Sequence, residues 1–199
     1  MNLELLNVKE HSSEKYPPRT YYNATSADLT IAFAIDLNTA GEKLTHKAAG
    51  KKYIGFLLTD DSDTLVIARE LYKRMRQDNV KTVNIAGNGI YTLAGQQCSQ
   101  DFINQFVYEV LAKVHQFMPI QKIYTGGQTG VDLAGAVSGV ALGVLTEVTL
   151  PNGFKQRFEN NVDVNGTQEG VIEQITTGAK TLLSKYKVEA PKSITGMKI

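Results

Sequence analysis

The run Gly126-Gly127-Gln128-Thr129-Gly130-Val131-Asp132 is the part of this 199-residue sequence best suited to hold an anion. It follows a β-branched apolar run and opens a stretch of helical period. Glycines let the backbone approach a phosphate closely, and the N–H groups and dipole of a helix N-terminus favour negative charge. Thr129 adds a hydroxyl. The same residues also suit a tight strand-to-helix turn with no ligand. No Lys-Ser/Thr follows the glycines and their spacing is not GxGxxG, which disfavours ATP hydrolysis and an ordinary NAD site.

Three more loops could join it. In Asp36-Leu37-Asn38-Thr39-Ala40-Gly41-Glu42, Thr39 and the backbone of Ala40 and Gly41 offer anion donors, while Asn38 and Glu42 suit a sugar or base. Thr39 equally suits a plain helix N-cap. Gly87 and Asn88, in Ala86-Gly87-Asn88-Gly89, form another strand-end turn. In Pro151–Phe158, Lys155 and Arg157 can neutralise phosphate and Phe154 or Phe158 can stack on a base, unless this is a solvated loop with its aromatics in the core. Metal and nucleophile signals are weak: His11, His46 and His115 have no ligand-like spacing, so no metal site is expected, and Cys98 stands alone.

Such loops act together only if a scaffold gathers the strand ends. Runs at Leu29–Ala34, Tyr53–Leu58, Thr82–Ala86, Lys122–Thr125 and Leu145–Leu150 predict five strands. Between and after them, helical period predicts helices at Gly41–Ala49, Ser62–Gln77, Ser99–His115, Val131–Leu142 and Gln168–Tyr186. Ile103, Phe106, Val107, Val110, Leu111 and Val114 make one apolar stripe, with Ser99 as N-cap. This alternation predicts an α/β, Rossmann-like, doubly wound and mainly parallel five-stranded sheet. Its carboxyl edge collects the loops, and the Thr125 and Ala34 strand ends are expected side by side at the switch point. One domain, residues 1–199, is expected, with 1–23 as an arm and 188–199 as a flexible tail.

A net charge of +1 gives no field for nucleic acid, and apolar runs are too short or interrupted to span a membrane. One cysteine and no signal-peptide pattern predict a cytoplasmic protein. A symmetric homodimer is the expected assembly, two-fold pairs being the commonest oligomers.

Thr125–Asp132 followed by Pro151-Asn152-Gly153 resembles the molybdenum carrier family, whose members carry a SGGQTGVD loop, a strand and a PKG segment. That family lies within the SLOG (LOG/DprA-like) group of Rossmann-like proteins. Arg19-Thr20-Tyr21-Tyr22-Asn23 through Asp28 is similar to its RTxWN…SD stretch. Thr39-Ala40-Gly41 with Leu44-Thr45 is similar to TGGT…LT, and Val83–Gly87 to LNVAG. The resemblance runs from Arg19 to Phe158. The glycine-rich unit comes first in the family and fourth here, so the chain reads as circularly permuted, cut before Arg19 and rejoined through Gln116–Ile120.

The resemblance implies a pocket for a nucleotide-like ligand, with an ADP-ribose-type signalling nucleotide as one form. Molybdenum cofactor enters only through the family's label. Placing Gly41 on the last glycine of the LOG motif PGGxGTxxE puts Glu42 on its threonine and Thr45 on its catalytic glutamate. The hydrolase set is thus incomplete, leaving Glu42 or Asp132 as candidate catalytic carboxylates. The expected function is binding, sensing, carrying or sequestering a phosphate-bearing small molecule; the alternatives are nucleotide hydrolysis and molybdenum cofactor carriage.

Overall fold

A computed structural model describes residues 2–186. The elements in chain order are β1 (Leu6–Glu10), α1 (Tyr16–Ser26), β2 (Leu29–Ala34), α2 (Ala40–Ala49), β3 (Tyr53–Leu57), α3 (Thr64–Gln77), β4 (Thr82–Gly87) and α4 (Ile90–Ala94). They continue with α5 (Gln100–Phe117), β5 (Lys122–Thr125), α6 (Val131–Leu142), β6 (Leu145–Leu150), β7 (Gln156–Arg157), β8 (Asp163–Val164) and α7 (Gln168–Tyr186). Six strands form one parallel sheet in the order β1-β6-β5-β4-β2-β3, and β7 and β8 pair as a separate antiparallel ribbon. The α/β, Rossmann-like architecture is as expected, with one strand more than the five read from the sequence.

The sixth strand and its helix come from the segment read as an arm. β1 buries only Val8, so it lacks the apolar run of an inner strand, and it pairs with β6 at the sheet edge. Pro17 and Pro18 fall in the first turn of α1, where a missing N–H breaks no intrahelical bond. The tail expectation for 188–199 lies outside the described residues.

Right-handed crossovers set α1 and α2 on one face and α3, α5, α6 and α7 on the other, consistent with which helices pack together. The two faces differ in chemistry because strand side chains alternate. Leu29, Ile31 and Phe33 of β2, with Val83 and Ile85 of β4, join α3 and α5 in the main apolar core, which includes the whole α5 stripe. Ser99 caps α5, accepting from the Phe102 N–H. On the opposite face the same strands present Thr30, Ala32, Ala34, Asn84 and Ala86, which are small or polar. Large side chains fill one side, and room is left beneath α1 and α2 on the other.

Among the described residues no helix is long and apolar enough to cross a membrane.

Candidate functional site

From β2 the chain steps outward to β3, then returns past β2 to β4, so its direction reverses between β2 and β4. Open α/β sheets hold ligands at the carboxyl ends of such a pair. A cavity of about 420 Å³ lies there, within the range of small-molecule sites. Its floor includes Asn84 and Ala86, and its walls come from α1, the start of α2, the Gly87–Gly89 turn and the Gly126 loop. The Thr125 and Ala34 strand ends are not neighbours, since β4 lies between them. Their loops nevertheless reach one cavity, because parallel strands place all carboxyl ends on one edge.

Of the residues singled out in the sequence, Thr39, Ala40, Gly41, Glu42, Gly87, Asn88, Gly126, Gln128, Thr129, Asp132 and Arg157 line the cavity. Gly127, Gly130, Asn38 and Lys155 do not. Gly127 has φ +68°, and a Cβ there would sit 2.6 Å from Val148 and 2.9 Å from Leu150, so it faces the core rather than a phosphate. Gly130 exchanges bonds with Gln100, its N–H donating to Oε1 at 2.6 Å and its carbonyl accepting from Nε2 at 2.9 Å. The Asn38 N–H donates to Asp36 Oδ1, fixing an exposed turn. Lys155 Nζ donates to the Glu14 carbonyl at 3.4 Å. Phe154 packs on the α6–α7 core, and neither it nor Phe158 lines the cavity.

Much of the glycine-rich loop's polar capacity is spent inside the protein. Gln128 Nε2 donates to the Lys155 carbonyl while its Oε1 accepts from the Arg157 N–H. The Thr129 hydroxyl donates to the Arg157 carbonyl. Together these bonds hold the 155–157 segment over the loop, so Gln128 and Thr129 act as clamps.

Asp132, in the first turn of α6, is bound by Arg19 Nη1 at 2.8 Å in a buried ion pair. Burial raises its carboxyl above the ordinary range, against the pull of Arg19 and of the Gln128 and Gly87 N–H groups. Gly126 lies beneath this pair, and a Cβ there would overlap both Arg19 Nη1 and Asp132 Oδ2.

The start of α2 is freer. Thr39 caps it by accepting from the Glu42 N–H at 3.2 Å, which leaves the hydroxyl proton able to donate. The N–H groups of Ala40 and Gly41, at the cavity wall, have no acceptor among the described residues. Glu42 would normally counter an anion here. However, burial, with the carboxylates of Asp132 and Asp36, pushes it up to about 8, so it is neutral at pH 7.

Arg157 stands at the mouth, bonded to Asp163 through Nε at 2.8 Å and Nη2 at 3.1 Å. The Tyr16 ring lies 5.6 Å from its guanidinium and 5.7 Å from that of Arg19, with the hydroxyl on Asp163.

Several polar atoms at the wall have no partner: Arg19 Nε, both ends of the Asn23 amide and Glu42 Oε2. Arg19 is 9% exposed, Asn23 2% and Glu42 2%. Unpaired buried groups each cost about 1–3 kcal/mol, so a ligand that bonds them would recover that loss. Tyr16, Arg19 and Asn23, from the segment expected to be an arm, and Tyr91 of α4, for which the sequence predicts no element, are among the wall residues absent from the expected site. The signal for α1 was present: two prolines opening a helix, then Arg19 and Asn23 four apart on one face.

The profile of the circularly permutated YpsA SLOG family matches residues 4–114. The chain belongs to this family. Its SLOG membership and its permutation agree with the order of motifs along the chain. No curated protein matches this SLOG chain. A likeness to the crystal structure of pantothenate synthetase from Thermus thermophilus has 15% identity and a TM-score of 0.28, covering 90% of this chain and 75% of that one. A likeness that low carries no argument.

Proposed function

We propose that this permuted SLOG domain binds a phosphate-bearing, nucleotide-derived small molecule, for sensing, carriage or sequestration. The observation that carries this reading is the open first turn of α2. Thr39, Ala40 and Gly41 line the cavity with the Ala40 and Gly41 N–H groups and the Thr39 hydroxyl proton uncommitted, and the Glu42 carboxyl of the same turn is pushed up to about 8. Both arginines already pair with aspartates, so Coulomb attraction alone does not define the anion position. Backbone donors and the helix dipole do. An ADP-ribose-type nucleotide fits this chemistry, and molybdenum cofactor carriage remains the alternative that the molybdenum-carrier resemblance raises.

The test is mass spectrometry of the native protein, followed by calorimetric titration with the compound it carries. Arg157→Ala should weaken binding by about 1.5–3 kcal/mol, the range for a charge-assisted hydrogen bond. Lys155→Ala, outside the cavity, should leave affinity unchanged. A native protein that carries no nucleotide and binds none would overturn the reading.

One observation favours a second reading, N-glycosidic or phosphoester hydrolysis of a nucleotide. A buried carboxyl at about 8 with a free Oε2 matches a general acid working near neutral pH. Chromatography of nucleotides incubated with the wild type and Glu42→Gln separates the two: turnover lost in the variant supports catalysis, and intact ligand supports binding.

A further inference from the structure

In a parallel sheet each helix that follows a strand starts at the carboxyl edge and runs back along it. The first turns of α1 and α2 therefore mark the cavity mouth, and later turns mark its depth. Tyr16, beside Arg157, opens α1, and Asn23 lies seven residues on, about 10 Å deeper at 1.5 Å per residue. Asn23 lines the cavity, is 2% exposed, and has no partner for Oδ1 or Nδ2. Folding alone does not call for such a group, since an unpaired buried amide is worse than an apolar side chain of the same size. Deep in the cavity it is joined by Thr45 of α2 and Asn84 of the floor, whose Nδ2 is already committed to Thr30 Oγ1 at 3.2 Å. The Asn23 amide is thus a free donor and a free acceptor, side by side, one helical turn beyond Arg19 and two turns from Tyr16, which stacks near Arg157.

We propose that Asn23 reads the base of the bound nucleotide, Oδ1 accepting from an amine or ring N–H while Nδ2 donates to the adjacent ring nitrogen or carbonyl. A nucleobase edge presents a donor and an acceptor fixed side by side in one plane, as the amide does, whereas sugar hydroxyls rotate and each both donate and accept. This rests on the nucleotide-binding reading and adds an orientation: phosphate at the α2 start and Arg157, base inward against Asn23.

Calorimetric titration of the full chain tests it, using the four ribonucleoside 5′-monophosphates, ribose 5-phosphate, and the 5′-monophosphate of unsubstituted purine riboside, which has no exocyclic group. Two hydrogen bonds to a base edge should make at least one natural nucleotide bind roughly tenfold or more tighter than both reference compounds. In Asn23→Ala and Asn23→Asp, with folding checked by thermal melting, that preference should disappear. Equal affinity of the wild type for all six compounds overturns base reading while leaving anion binding intact, and needs no variant to fold. A folded Asn23→Ala that keeps the preference also overturns it. Binding of none of the six overturns both readings.

Discussion

Glu42 sits in a helix's first turn, where a carboxylate normally gains from the dipole, yet burial and two neighbouring carboxylates keep it protonated. Its folded value of about 8 lies above its ordinary 4.5, so between those pH values the folded state holds a proton that the unfolded state has lost. Its contribution to stability is complete below about 4.5 and falls as pH rises to about 8. Glu42→Gln removes that titration. Relative to wild type, the variant should gain about 2–5 kcal/mol between pH 4 and pH 8, read from denaturant midpoints. A difference constant across that range would mean Glu42 does not titrate there. The two adjacent glycines make a second contrast. Gly127→Val forces a branched side chain into Val148 and Leu150 at a left-handed φ, and should cost about 3 kcal/mol or more of stability. Gly126→Ala instead pushes Arg19 off Asp132, and should abolish binding at a smaller cost in melting temperature, because the arginine can swing.

At the scale of elements, everything that α1 brings to the cavity depends on how α1 is docked. Its Tyr22 hydroxyl donates to Glu147 Oε1 of β6 at 2.8 Å, and Glu147 also binds Lys9 of β1 at 2.8 Å and Lys122 of β5 at 2.9 Å. Against the cost of burial, these partners hold the Glu147 carboxyl down at about 2. A depressed value gives stability that is full above the ordinary 4.5 and lost as pH falls toward 2. Glu147→Gln should therefore cost about 1–2 kcal/mol at pH 7, allowing for the partly exposed lysines, and much less near pH 2. Thermal melts at the two pH values check this.

Legibility followed the same division. The sequence marks α6 and α7 with the observed boundaries, α6 because glycines Gly130 and Gly143, both at positive φ, bracket a run of small and apolar residues, and that signal is local. It does not mark β1 and α1, because an edge strand with one buried residue has no pattern and Pro17-Pro18 resembles a break as much as a helix start. The alternation Leu29-Thr30-Ile31-Ala32-Phe33-Ala34, repeated in Val83-Asn84-Ile85-Ala86, held the cavity in plain view: one sheet face carries no bulk. That Gln128 and Thr129 serve as clamps was not readable, since their partners at 155–157 meet them only in the fold.

Across the whole molecule, circular permutation leaves the cavity's chemistry in place because chain order does not decide which edge a parallel strand's carboxyl end occupies. The segment expected to rejoin the original ends, Gln116–Ile120, is a short link from the end of α5 to β5, with Ile120 buried and its N–H held by His115 Nδ1 at 3.0 Å. What does depend on sheet order is the crevice between β2 and β4, whose chains part at the switch point. Asn88 spans that gap. Its Oδ1 accepts from the Ile35 and Asp36 N–H groups at 2.9 and 3.0 Å, and its Nδ2 donates to the Asp36 carbonyl at 3.1 Å. The β4 turn is thereby fixed to the start of the loop that carries Thr39 and Gly41. Asn88, expected as a ligand contact, is a strut that sets the width of the crevice. Asn88→Ala leaves two N–H groups and a carbonyl without partners, at a cost of about 2–4 kcal/mol if water does not replace them. Amide hydrogen exchange at Ile35 and Asp36 should then quicken far more than at the α5 core, because opening is confined to the switch point. Ligand affinity should fall with it, since the first turn of α2 no longer sits at a fixed distance from Gly126 and Arg19. Unchanged exchange at those two amides would mean that the loops hold their spacing without Asn88.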